Sequence, residues 1–263
     1  EKSPPTSLLE DQFGSSVLKW ILKALKNNNI NKICFVGGYE IEKIGLNFPE
    51  LEFIYNANWK NTGVLESLYH ARKFLNGPVV VSYGDIVYTK DVIDKIINNN
   101  QKNITIAYDS RIKSINNDTN SIIRKNIIYL KGNTIKDIGF LPADSNTSGE
   151  FIGLTYFDEK SVVLVNKFFK DNYSNFKGKP FQQAKKIENG YLTDLLRQLK
   201  LEGLQINVVD IEDNWAEIND PISLARFVMG TKSETLERLM TTLTKSKLCK
   251  QYTFHVEEWK KNY

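Results

Sequence analysis

Between residues 17 and 108, short apolar runs alternate with segments of helical periodicity, and few folds accommodate that order. Val17, Leu18, Ile21, Leu22 and Leu25 recur near a 3.6-residue period behind a capping serine at 15 or 16, which predicts a helix over 17–27. An apolar run at 32–36 stops at Gly37–Gly38, as a strand entering a turn does. A short helix over 40–47, a strand at 51–55, a helix over 64–75 capped by Thr62, and a strand at 78–81 follow. A helix over 90–98 and a strand at 103–108 complete the series. Strands separated by helices read as βαβ units. We therefore expect a Rossmann-like three-layer α/β/α sandwich on a mostly parallel mixed sheet.

The pattern then changes. Residues 121–140 alternate and turn at 131–133, as a hairpin would; 150–157 is a further strand. Helices are expected over 159–172 and 189–200, a strand at 205–210, and a helix from 222.

In open α/β sheets, ligands sit beyond the carboxyl ends of the strands. The run ValValValSerTyrGlyAsp at 79–85 delivers Asp85 there, behind Gly84, which permits close backbone approach. A carboxylate is a hard oxygen ligand suited to Mg²⁺, although many such aspartates only cap a turn. A second acidic segment, Glu217–Ile218–Asn219–Asp220, also follows an expected strand, and alternation puts Glu217 and Asn219 on one side. Its bland reading is a helix cap before Pro221. The polar stretch from Asn56 to Gly63 leads into a helix N-terminus, where amides can read a base edge. Lys179, Lys185 and Lys186 are candidates for pairing an acceptor phosphate, against the commoner reading as solvated lysines. Neither His70 nor His255 has a nucleophile nearby, and no Ser-His-Asp arrangement is visible.

Composition narrows the classes further. The net charge of +4 is too weak to argue for nucleic acid, and no apolar stretch approaches the ~20 residues of a membrane span. Two distant cysteines fit no metal or redox spacing, and Cys34 reads as a buried small hydrophobe, so a reducing, cytoplasmic setting is expected.

Taken in order, six segments resemble the sugar-phosphate nucleotidyltransferase superfamily, and most nearly its phosphocholine and 2-aminoethylphosphonate cytidylyltransferases. They are residues 34–44, 56–68, TyrGlyAspIle at 83–86, 149–154, 179–188, and TrpAlaGluIleAsnAspPro at 215–221 with the three residues after it. The resemblance implies a nucleotide-diphospho-sugar-transferase-like domain over 1–230, with 231–263 a basic connector that leaves a downstream fused domain open. It implies attack of an acceptor phosphate or phosphonate oxygen on the α-phosphorus of an NTP, expected to be CTP, with Mg²⁺ and loss of pyrophosphate. It maps metal ligation and catalysis onto Asp85, with Glu217 and Asn219 as further metal ligands. The family often has aspartate at the position of Asn219. Nucleotide binding maps to Gly37, Asn61, Thr62, Gly63, Ser67 and Gly84; acceptor binding to Trp59, Tyr108, Asp109, Glu150 and Lys185, with Tyr83 as a further wall. Family members open with a strand and a Gly-rich phosphate-binding loop ending in Pro-Lys. This sequence starts near the end of that loop, with Pro5 where the lysine stands, so residues before Glu1 are expected in the natural protein. A non-catalytic nucleotide-binding module of the same fold is the second reading, and a sugar-nucleotide-dependent glycosyltransferase the third. Against the third, the strand continues Asp85–Ile86–Val87 and not Asp-x-Asp. A homo-oligomer stays open.

Overall fold

The computed structural model describes residues 4–99, 103–112, 124–132, 134–212 and 214–228. The connector expected over 231–263 and the first residues of the expected hairpin lie outside them.

Among the described residues, ten strands and eight α-helices follow one another. The first half holds α1 (Val17–Lys26), β1 (Cys34–Gly37), α2 (Ile41–Asn47), β2 (Glu52–Tyr55), α3 (Val64–His70), β3 (Val79–Ser82), β4 (Ile86–Tyr88), α4 (Lys90–Ile97) and β5 (Ile104–Asp109). Next come β6 (Arg124–Lys131), β7 (Thr134–Pro142), β8 (Gly149–Phe157), α5 (Glu159–Lys167), α6 (Tyr173–Phe176), α7 (Leu192–Leu201), β9 (Ile206–Asp210), β10 (Trp215–Glu217) and α8 (Pro221–Val228). Ser16 caps α1 by accepting from the Lys19 amide, as its sequence position implies. The helix expected over 64–75 ends at His70 and passes into a 3₁₀ turn, Arg72–Phe74. The helix expected over 159–172 continues through a π turn, Phe168–Asn172, into α6.

The main sheet has the order β7-β6-β8-β5-β9, with β3 on the other side of β8. β8 runs antiparallel to both β3 and β5, while β5 and β9 are parallel. So β3, β5 and β9 share a direction, and the sheet is mixed because β8 is inserted against them. Alternating side chains feed two cores, which is what makes three layers. Ile104, Ile106, Phe151 and Phe157 face one core with α3, α5 and α7. Ala107, Ile152 and Leu154 face the other with α1 and α4. Among the described residues, no helix is long and apolar enough to cross a membrane.

One feature breaks the sheet. β1 pairs in parallel with β2 alone, and β3 with β8 alone, among the described residues. Their other edges meet a shared cavity of about 760 Å³, roofed by Leu18, Ile21, Leu22 and Leu25 of α1. Cys34 lines it half-buried; burial first, and Glu52 beside it, push its thiol up to about 11. Backbone groups of strands seldom stay unpaired once buried.

Candidate nucleotide and metal site

The carboxyl ends of β1 and β3 open into one end of this cavity, where Gly37, Ser67, Gly84 and Asp85 line it together. Asp85 sits between β3 and β4. Its carbonyl accepts from the Ile218 amide at 2.7 Å, which extends the antiparallel β4/β10 ribbon by one bond. In that ribbon Glu217 lies opposite Ile86. The two carboxylates, 132 positions apart in sequence, thereby become neighbours. Burial raises the Asp85 pKa, and the charge of Glu217 raises it further, against its own backbone amide. Two hard carboxylates that repel each other beside an open cavity are a donor set suited to Mg²⁺, which commonly takes one or two carboxylates and completes its shell with water and phosphate. Among the described residues no cluster of three or more His, Cys, Asp or Glu could hold a metal, so a cation here would depend on ligand oxygens.

Alternation after β10 is as the sequence implies: Glu217 is exposed, Ile218 is fully buried, and Asn219 is exposed. The capping role in this segment falls to Asp220, whose Oδ1 accepts from the Ser223 amide at 2.7 Å. Neither Glu217 nor Asn219 is needed for it.

The loop from Asn56 to Gly63 is rigidly built. Thr62 does not cap α3, contrary to its position in sequence: the N-cap is Gly63, without a side-chain cap. The Thr62 hydroxyl instead accepts from Asn56 Nδ2 at 3.0 Å and donates to the Asn58 carbonyl at 3.0 Å. Asn61 donates to Asn58 Oδ1, and its carbonyl accepts from Asn189 Nδ2. Gly63 donates to the Glu188 carbonyl and Leu65 to that of Gly190. Two segments more than 120 positions apart are thus laced together. Asn189 is the member that motif reasoning passes over; Asn56 opens the polar stretch but receives no role of its own from it. Asn56 is 1% exposed, and only the fold shows that its amide faces inward.

The residues mapped to the acceptor are not gathered in one place. Trp59 packs on Tyr39 and on Gly38 at the end of β1; a Cβ on Gly38 would lie 2.1 Å from the indole. Tyr108 and Asp109 end β5 in the main sheet, whereas β1 belongs to a separate two-stranded sheet. Asp109 lies opposite Glu150. Its carboxylate is 6% exposed as a residue and accepts from the Arg111 amide, Nε and Nη2 and from Trp215 Nε1 at 2.7 Å. Burial would raise its pKa, but those donors hold it below the usual carboxylate value. It braces β10 against β5, and its oxygens are already engaged. Lys179, Lys185 and Lys186 are exposed. Tyr83 lines the cavity, but its hydroxyl is buried without a hydrogen bond; burial, chiefly, raises its pKa.

The mixed α/β/α sandwich is the fold of solved nucleotidyltransferases. Three solved structures share the fold at TM-scores of 0.61 to 0.63 and 16–17% identity: the CTP:phosphocholine cytidylyltransferase LicC of Streptococcus pneumoniae, a putative glucose-1-phosphate thymidylyltransferase of Bacillus anthracis, and the inositol-1-phosphate CTP transferase of T. maritima. Each alignment covers 86–88% of this chain and 87–90% of the other. In sequence, the chain is 25% identical over 229 residues to the CTP:phosphoglutamine cytidylyltransferase of Campylobacter jejuni, covering 83% of this chain and 88% of that one. It is 23% identical over 257 residues to the bifunctional protein GlmU of Acetivibrio thermocellus, covering 91% of this chain and half of that protein. No protein-family model matches. The chain is thus similar, in sequence and in fold, to nucleotidyltransferases that include cytidylyltransferases.

Proposed function

We propose that this protein transfers CMP from CTP to a small phosphorylated or phosphonate acceptor and releases pyrophosphate. The observation that carries the reading is the juxtaposition of Asp85 and Glu217 at the mouth of a cavity that also exposes Gly37, Ser67 and Gly84. The names of three similar proteins combine CTP with a phosphorylated acceptor. An acceptor oxygen attacks the α-phosphorus, the new P–O bond forms, and the bond to pyrophosphate breaks. Asp85 and Glu217, with Asn219 beside them, would hold Mg²⁺, which supplies neutralisation of the phosphate charge. The chain's own contribution is positioning: a loop laced before ligand arrives holds the nucleotide in line. Asn219, a neutral amide beside the two carboxylates, favours the second reading, a nucleotide-binding module without turnover.

The test is pyrophosphate release by the natural full-length protein with Mg²⁺, each NTP in turn, and phosphocholine or 2-aminoethylphosphonate. Release that needs CTP and an acceptor, and that falls by about 10²-fold or more in Asp85→Ala, supports the transferase. Nucleotide binding without release under any pairing assigns the non-catalytic module.

A further inference from the structure

A cavity of about 730 Å³ lies on the outer face of α3, apart from the nucleotide cavity. Val64, Ser67, Leu68 and Ala71 turn towards the nucleotide side. Tyr69 and His70, with Arg72 and Lys73 of the 3₁₀ turn that follows, line the outer cavity. α3 and that turn are therefore the wall between the two. The opposite rim comes from the end of α5 and the π turn, which supply Asn166, Phe169 and Lys170. π turns are rare and recur at functional sites, and a cavity of this size is ample for a small ligand.

The floor is built in advance. Tyr69 stacks on Tyr173 with 4.0 Å between ring centroids and 6° between planes, and Phe169 packs edge-on against both. The Arg72 guanidinium lies 4.2 Å from the Tyr69 centroid, and its Nη1 donates to the Tyr69 carbonyl at 2.8 Å. A guanidinium that close has room only on the face that Tyr173 leaves, so Tyr69 keeps no open face on which a base could stack. The charge is one-sided. Glu66 is already engaged, accepting from the Tyr173 hydroxyl and standing 3.3 Å from His70 Nε2. No Asp or Glu lines the cavity, and among the described residues no carboxylate pairs with Arg72, Lys73 or Lys170. Cations at a helix C-terminus complement its dipole, which accounts for His70 and Arg72. It does not account for Lys170, which arrives from the π turn.

We propose that this outer cavity binds a small polyanion through its phosphate groups, at a site separate from the nucleotide cavity and independent of the transferase reading. Arg72, Lys73 and Lys170 come from two segments and meet over an apolar floor, so one compact ligand of two or more negative charges answers all three. The guanidinium fork matches phosphate oxygens, and the lysines act as point charges. With Tyr69 covered on both faces, recognition falls on the phosphates alone. The cavity also offers no carboxylate to a cation, unlike the pair Asp85 and Glu217, so the anion binds without metal.

The experiment is calorimetry in EDTA at low salt, titrating inorganic pyrophosphate and, separately, ADP into the full chain, its Lys73→Gln/Lys170→Gln variant and Asp85→Ala. Both lysines are exposed, so the double variant should keep the wild-type melting temperature. Pyrophosphate is expected to bind wild type without metal, and more weakly as salt is raised. Loss of two charge-assisted partners should weaken it by about 10-fold or more in the double variant, while Asp85→Ala leaves it unchanged. ADP should bind no tighter than pyrophosphate. Lys170→Gln alone, with a loss of about 3-fold or more, carries the test if the double variant does not fold. No metal-free binding, equal affinity in the folded lysine variants, or a loss confined to Asp85→Ala overturns the inference. ADP tighter than pyrophosphate by about 10-fold or more overturns it too, because a base contact would then be part of the site.

Discussion

Gly63→Ala tests whether the loop at 56–63 is held as the structure shows. The backbone at Gly63 is extended, φ −100° and ψ −173°, so alanine suits its dihedral angles. The objection is steric: the new Cβ would lie 2.4 Å from the Gly190 carbonyl oxygen and 2.7 Å from that of Asn189. That is roughly 1 Å short of ordinary van der Waals contact. Both obstacles are backbone, so neither can rotate away. Relief must come from separating the segments joined by the 2.7 Å Gly63–Glu188, 2.9 Å Leu65–Gly190 and 2.6 Å Asn189–Asn61 bonds. Overpacking costs about 1–3 kcal/mol, and each weakened hydrogen bond about 0.5–1.5 kcal/mol. Against these stands about 0.4–1 kcal/mol from the lower entropy of an unfolded alanine. The net expectation is a loss of about 3 kcal/mol, read as a fall of about 1 M in the urea midpoint at an unchanged slope near 3 kcal/mol/M. Gly84→Ala is the matched control: a Cβ there meets nothing within 4 Å, and the change in stability should stay within about 0.5 kcal/mol. A Gly63→Ala protein within about 0.5 kcal/mol of wild type, or a Gly84→Ala protein equally damaged, refutes the reasoning.

Two further outcomes follow from particular contacts. The Asp109 carboxylate is held below its usual pKa in the folded protein, so its stabilisation is present above the unfolded value near 3.9 and is lost as pH falls through the lower folded value. Asp109→Asn should therefore cost about 2 kcal/mol at pH 7, with the gap to wild type closing below about pH 4; urea melts at pH 7, 5 and 3 check this, and a gap that stays constant contradicts it. The edges of β1 and β3 that face the cavity, unpaired among the described residues, predict faster amide exchange over 34–37 and 79–82 than over 104–108 of β5, which pairs on both sides. Equal protection in the three strands would contradict the open edges.

Several parts of the site were legible in the residues. The placement of Asp85 at a strand end follows from an apolar run that stops at Gly84, and the sidedness of Glu217 and Asn219 follows from alternation around buried Ile218. Other parts were not. β4 and β10 are three residues each, too short for any periodicity, yet their pairing sets Glu217 beside Asp85. Thr62 has the position of a cap, but Asn56 competes for its hydroxyl and wins once buried. Asp109 reads as a free acid at a strand end until Arg111 and Trp215 close on it.

By itself, then, the sequence determined the order of strands and helices and which face of each is apolar, because periodicity and punctuation are local and survive without knowledge of neighbours. Only the tertiary structure decided which carboxylates stand together, which donors close on Asp109, and which strand edges face the cavity among the described residues. Those depend on contacts between residues as much as 132 positions apart, and on competition among donors for one acceptor, neither of which leaves a trace in the spacing of a single chain.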